Sequence, residues 1–170
     1  TLVGILALAV FLRVYNLSDY PFGVWYDEGL LGMRVRDMLA NPAFRPLFID
    51  NTSLPMLTMY AHGLQAYGVS NVAGMRIVPA LLSTLGVLVA YLVGRELRGA
   101  WFGVAMAFML AIMRWAIDFG RFGTTGIEVV TFTLLTIYTA IRFVRYGRLR
   151  DAIWFGVALG AGFYFYRPYQ

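Results

Sequence analysis

The feature that most constrains this chain is the length of its uncharged apolar runs. Ile77 to Gly94 is 18 residues without a charge, and Gly99 to Met113 and Ala152 to Tyr166 are 15 each. Val129 to Ile141 is 13, and the run reaches back to Phe122 if Glu128 is admitted. A helix crossing a bilayer needs about 20 mostly apolar residues, with about 17 as a lower limit. Interfacial aromatics and arginines whose stems lie along apolar surface supply the missing length. Hydrophobic residues make up 60% of the chain, against roughly half in a soluble domain. The expected fold is therefore all-α: a polytopic membrane protein with about five transmembrane helices, at 1–13, 73–94, 99–116, 122–142 and 151–166. Residues 1–170 form a single transmembrane module.

Charge placement orients it. The formal net charge is +5, which in a soluble chain would suggest nucleic acid. Here the basic residues are all arginines and flank apolar runs, a topology signal that excludes nucleic acid as the expected partner. Arg95 and Arg98, and Arg142, Arg145, Arg148 and Arg150, crowd two short connections, which should be cytoplasmic. The loop 14–72 is then external, and the chain is expected in the plasma (cytoplasmic) membrane of a bacterium. With no cysteine, there is no disulfide framework and no thiolate ligand or nucleophile. Thr1 to Leu12 reads as the end of a first span, and the chain as a piece of something longer.

The external loop carries periodic pattern. Leu31, Val35 and Met38 share a helical face within 27–39. Leu57, Tyr60, Leu64 and Tyr67 do so within 54–67, with Thr58, His62 and Gln65 opposite. Both predict amphipathic interfacial helices lying along the membrane surface; a re-entrant segment over 51–69 is the rival. Gly99 with Gly103, and Gly156 with Gly160, have the spacing of close helix packing.

Four features can carry chemistry. Asp27 and Glu28 are adjacent carboxylates just outside the membrane, suited to general-base work or to a divalent metal ion. The alternative is structural, with Asp27 capping the following helix and Glu28 favoured by its dipole. Arg76, at the mouth of the second span, has the fork that grips a phosphate in two places, or it simply meets lipid headgroups. Arg121, Thr124, Thr125, Glu128 and Thr131 recur at three- and four-residue spacing and so form one stripe. Glu128 within a span is a functional candidate by default, with a buried structural network as the alternative. Thr125 joins it as a polar cavity residue. Arg114 and Asp118 read as an exposed pair, and His62 as a surface residue.

Met75-Arg76-Ile77-Val78-Pro79-Ala80 is similar to the signature that opens the second span of GT-C membrane glycosyltransferases, especially glycosyltransferase family 39. That family includes the protein O-mannosyltransferases and the lipid A aminoarabinose transferases. Asp27-Glu28 resembles the acidic pair of their first external loop. Tyr91-Leu92-Val93-Gly94-Arg95-Glu96-Leu97 resembles the end of their second span, and Arg121 the arginine between their third and fourth. Glu128 stands where many members have an acidic residue. Asn51-Thr52-Ser53-Leu54-Pro55-Met56 lacks the basic residue and one proline of the family's Pro-Pro-Leu segment. The fifth span ends Tyr164-Phe165-Tyr166-Arg167-Pro168, without the lysine of many relatives.

The resemblance implies transfer of a sugar from a polyprenyl-phosphate donor to an acceptor hydroxyl on the external face. It implies Asp27 and Glu28 as catalytic carboxylates, with or without a divalent metal ion, and Arg76 and Arg121 as donor-phosphate ligands. A different class remains open: a non-catalytic transmembrane subunit packed against other membrane subunits. A transporter is disfavoured by the lack of an inverted repeat or broken helix pair.

Overall fold

The computed structural model describes residues 1–41, 48–49 and 52–165. It is helical, with helices α1 (Leu2–Val14), α2 (Tyr26–Ala40), α3 (Leu54–Tyr67), α4 (Val72–Arg98), α5 (Ala100–Ile112), α6 (Arg114–Arg121), α7 (Gly126–Tyr146) and α8 (Leu149–Phe165). Among the described residues the one exception is an antiparallel pair of two-residue strands, β1 (Phe48–Ile49) and β2 (Thr52–Ser53), which leads into α3. The apolar helices are those of an integral membrane protein. Among the described residues α4 and α7 are long and apolar enough to cross a membrane. The α5–α6 pair makes a third span if it is taken as one. Helices α1 and α8, at 13 and 17 residues, fall within two residues of the stretches expected there, 1–13 and 151–166, and are shorter than the about 20 residues of a typical crossing.

Two expected spans are redrawn. The run 99–116 is not one helix: it breaks at Met113, and α5 and α6 are bent by 57°. The sequence therefore does contain a broken helix pair. The run 122–142 is displaced along the chain, because residues 122–125 are bends and α7 begins at Gly126 and continues to Tyr146.

Helix α4 is the axis, with α1, α3, α5, α6 and α7 all packed on it. Its 27 residues begin at Asn71, whose side chain accepts from the Ala73 N–H at 2.9 Å. It ends at Gly99, where φ is +90°, with Arg95 and Arg98 favoured by the negative end of its dipole. Small residues let the neighbours in. A side chain at Gly103 of α5 would collide with the Tyr91 carbonyl of α4, and one at Gly94 would collide with the Gly103 backbone. Thr131 of α7 donates to the Leu82 carbonyl of α4 at 2.9 Å. The Gly156 and Gly160 positions, by contrast, meet nothing within 4 Å, so among the described residues no helix packs closely on them.

Within the loop 14–72, helices α2 and α3 form where the periodicity predicts amphipathic helices. Leu31, Val35 and Met38 of α2 and Met56, Leu57, Tyr60, Ala61 and Leu64 of α3 form one buried cluster with Val78 and Leu82 of α4. His62 and Gln65 are exposed on the far side of α3. Tyr67, expected on the inner face, is exposed, because α3 ends there and the chain turns away through Gly68 at φ +94°.

The asymmetry between the glycines is testable. Gly103→Val should destabilise the fold by about 1–3 kcal/mol, the usual penalty of overpacking. Gly156→Val should leave stability unchanged. Thermal unfolding of both variants in detergent would measure the contrast.

Candidate functional site

The acidic pair and the arginine of α4 meet at the entrance of the helix bundle, where they separate into a buried lock and an open carboxylate. Glu28 lies in the first turn of α2 and Arg76 in the second turn of α4. Their side chains pair in two places: Nε donates to Oε1 at 2.8 Å and Nη2 to Oε2 at 3.0 Å. Both are inaccessible, Arg76 at 0% and Glu28 at 1% exposure. The rest of the hydrogen-bonding capacity is also committed. Oε1 accepts the Gly123 N–H at 2.6 Å and Oε2 the Trp25 N–H at 3.0 Å. Arg76 Nη1 donates to the carbonyls of Leu17, at 3.2 Å, and Pro21, at 2.9 Å, and Nη2 to that of Gly23 at 2.6 Å.

A guanidinium has five N–H donors and a carboxylate about four acceptor positions, so both groups are saturated by protein. This bears on two expected roles. Arg76 has no N–H left over for a phosphate, and Glu28 has no uncommitted oxygen for a proton or a metal ion. Burial alone would push the Glu28 carboxyl up. The hydrogen bonds from Arg76, Gly123 and Trp25, with the Arg76 charge, outweigh it and hold the group below its usual 4.5.

Asp27, one residue earlier, is exposed. Among the described residues nothing bonds to its carboxylate. It is not the helix cap: Trp25 holds that position, and the Glu28 carboxylate reaches back to its N–H. The neighbouring Trp25 and Tyr26 are also exposed, so Asp27 stands beside two aromatic rings with its carboxylate in solvent. The two carboxylates therefore diverge rather than share a ligand. Among the described residues no three His, Asp or Glu side chains converge on a metal position.

Arg121 ends α6 and crosses to the end of α1. Nη1 donates to Leu12 at 2.9 Å, and Nη2 to Tyr15 at 2.7 Å and Tyr20 at 3.0 Å, all carbonyls. Its Nε–H has no acceptor among the described residues. Because the helix breaks after it, Arg121 does not continue the stripe of Glu128.

Glu128 is fully buried in the first turn of α7. The Tyr60 hydroxyl lies 3.4 Å from its Oε1 and 3.0 Å from the Thr124 carbonyl, and Oε2 has no partner. Thr125, buried, is the residue before α7. Arg114 and Asp118 form the exposed pair expected, at 3.5 Å.

One buried group escaped sequence reasoning. Arg13, the residue that closes the apolar run Thr1 to Leu12, is fully buried. Its Nε donates to Ser83 Oγ at 2.6 Å, and its two Nη groups donate to the carbonyls of Ala111, at 3.1 Å, and Leu110, at 3.2 Å. Those carbonyls lie in the last turn of α5, where the break removes their helical N–H partners. A signal was available: a lone arginine closing one span and a polar Ser83 inside another.

The chain matches the protein family described as dolichyl-phosphate-mannose-protein mannosyltransferase over residues 55–169, more than half its length. No curated protein and no solved structure matches it. The match covers Arg76, Arg121, Thr125 and Glu128; Asp27 and Glu28 precede it. Of the segment 51–56, which departs from the family pattern, residue 51 lies outside the described residues, as do 166–168 of the fifth span's end.

The lock has a pH signature. Because the folded-state pKa of Glu28 lies below its unfolded value, the unfolded chain binds more protons in acid. The pair's contribution is complete above the unfolded pKa, about 4.3, and is lost as pH falls through the folded one. Glu28→Gln should cost about 3–5 kcal/mol at pH 7, the range for breaking a buried pair. The gap between variant and wild type should narrow below about pH 4. Unfolding in detergent across pH 3–7 checks both.

Proposed function

Because the chain belongs to the dolichyl-phosphate-mannose-protein mannosyltransferase family, a family of membrane glycosyltransferases, we propose that it carries the external catalytic entrance of such an enzyme. In this reading the donor is a polyprenyl-phosphate sugar and the acceptor an external hydroxyl. The acceptor oxygen bonds to the anomeric carbon as the carbon–oxygen bond to the lipid phosphate breaks. The phosphate leaves with the bonding electron pair, and the hydroxyl proton goes to a carboxylate. Orientation, with loop 14–72 outside a bacterial plasma membrane, is part of the proposal.

The observation that carries the reading is the division of labour within the acidic pair. Asp27 is open to solvent beside two exposed rings, and its neighbour Glu28 is held in the core by four hydrogen bonds. The base is thus presented from a fixed turn, which is the preorganisation that positioning a proton acceptor requires. Asp27 takes the proton. Glu28 and Arg76 act as positioning residues. Positive charge for the departing phosphate falls to Arg121, whose Nε–H is uncommitted and whose other donors hold it against the end of α1. If a divalent metal ion takes part, Asp27 is the carboxylate of the pair able to reach it.

Asp27→Asn in the full-length protein should lower turnover of a polyprenyl-phosphate sugar by about 100-fold or more with unchanged thermal stability. Full turnover in the folded variant would remove Asp27 from the chemistry.

A further inference from the structure

The opposite end of α4 carries a second constellation that the transferase reading does not use. Glu96 lies 20 residues beyond Arg76 on one helix, roughly 30 Å away at about 1.5 Å per residue. There Arg142 of α7 donates to Glu96 Oε1 and to Asp151 Oδ1, both at 3.1 Å. Its guanidinium also stacks on Tyr146 and Tyr138, at 5.1 and 5.8 Å from the ring centroids. Arg145 and the Tyr146 hydroxyl reach Glu96 as well, so that carboxylate is well supplied.

Asp151 is not. It is 4% exposed, its Oδ1 is taken by Arg142, and Oδ2 has no hydrogen-bond donor. Asp151 lines a cavity of about 430 Å³ between α7 and α8, whose wall also includes Leu135, Tyr138, Arg142, Arg150 and Trp154. Arg150 is exposed and makes no ion pair or hydrogen bond among the described residues. Leu135 and Trp154 give the wall an apolar side.

Three properties of the cavity select its occupant. The uncommitted Arg150 calls for an anion, and a phosphate diester is the membrane's own. This end of the molecule holds six arginines against Glu96 and Asp151, which disfavours a headgroup with a compensating ammonium. The unpartnered Asp151 oxygen calls for a donor, since a buried acceptor left bare costs about 1–3 kcal/mol. An anionic lipid whose headgroup ends in neutral hydroxyls satisfies all three. We infer that the α7–α8 cavity binds a glycerol-type phosphodiester headgroup, with Arg150 on the phosphate, Asp151 accepting a headgroup hydroxyl, and Leu135 and Trp154 against the lipid's apolar part.

The test uses the full-length protein in neutral detergent, titrated with phosphatidylglycerol, phosphatidic acid or phosphatidylcholine of equal chain length. Native mass spectrometry and thermal shift are the readouts. Phosphatidylglycerol should bind about fivefold tighter than either other lipid, the value of roughly one hydrogen bond or one surface charge. Arg150→Gln should weaken both anionic lipids about fivefold with lipid-free stability unchanged. Asp151→Asn should erase the preference for phosphatidylglycerol over phosphatidic acid. If that variant does not fold, the Arg150 variant and the wild-type ranking decide the matter. Equal binding of the three lipids, or an Arg150→Gln protein that binds as wild type does, would overturn the proposal. Equal stabilisation by free glycerol phosphate would place the ligand in water rather than in the bilayer and would also overturn it.

Discussion

The structure of this chain depends on one buried ion pair, Glu28 with Arg76. Placing two charges out of water costs several kcal/mol per ion, and their attraction offsets that only when every remaining donor and acceptor is also met. Here they are: five guanidinium N–H groups and both carboxylate oxygens end on protein atoms. Because saturation is needed, one pair draws four segments together. The first turn of α2 supplies Glu28 and the Trp25 N–H, α4 supplies Arg76, residues 17–23 supply three carbonyls, and the bend before α7 supplies the Gly123 N–H. Gly123 suits this position, since a Cβ there would come within 3.2 Å of Glu28 Oε1 and 3.3 Å of Met75 Cβ. The solvent-facing Asp27 follows from this arrangement: with Glu28 turned inward on the first turn of α2, the preceding residue points elsewhere.

The same constraint recurs at the helix break. Interrupting an apolar run at Met113 strips the last turn of α5 of its partners, and bare carbonyls inside a bilayer are costly. Arg13 supplies the donors, and Ser83 links it to α6 by donating to the Ala116 carbonyl at 3.1 Å. A buried cation thus stabilises the bend with no carboxylate paired to it among the described residues. Glu128 is the reverse case, a fully buried carboxylate with one oxygen left bare, and it stays a functional candidate on that ground.

Much of this was legible in the residues. Long uncharged runs marked α4 and α7, and a period near 3.6 marked the inward faces of α2 and α3. Spacing also separated the exposed Arg114–Asp118 pair from the buried groups. The break at Met113 was not visible, because Ile112, Met113 and Trp115 are apolar and no proline or glycine interrupts them; it is held by Arg13, about a hundred positions away. The roles within the acidic pair were hidden for a similar reason. Adjacent carboxylates look equivalent in a sequence, and only the distant Arg76 and Gly123 decide which turns inward. Gly156 and Gly160 had packing spacing without a partner helix among the described residues, so spacing alone misled.

The central claim is that Glu28 and Arg76 act as one unit rather than as two independent buried groups. A double-mutant cycle with Glu28→Gln and Arg76→Met, read by reversible unfolding in micelles at pH 7, measures this directly. The account predicts a coupling of about 2 kcal/mol or more, with the double variant little less stable than either single one. Effects that simply add, within about 0.5 kcal/mol, would contradict it.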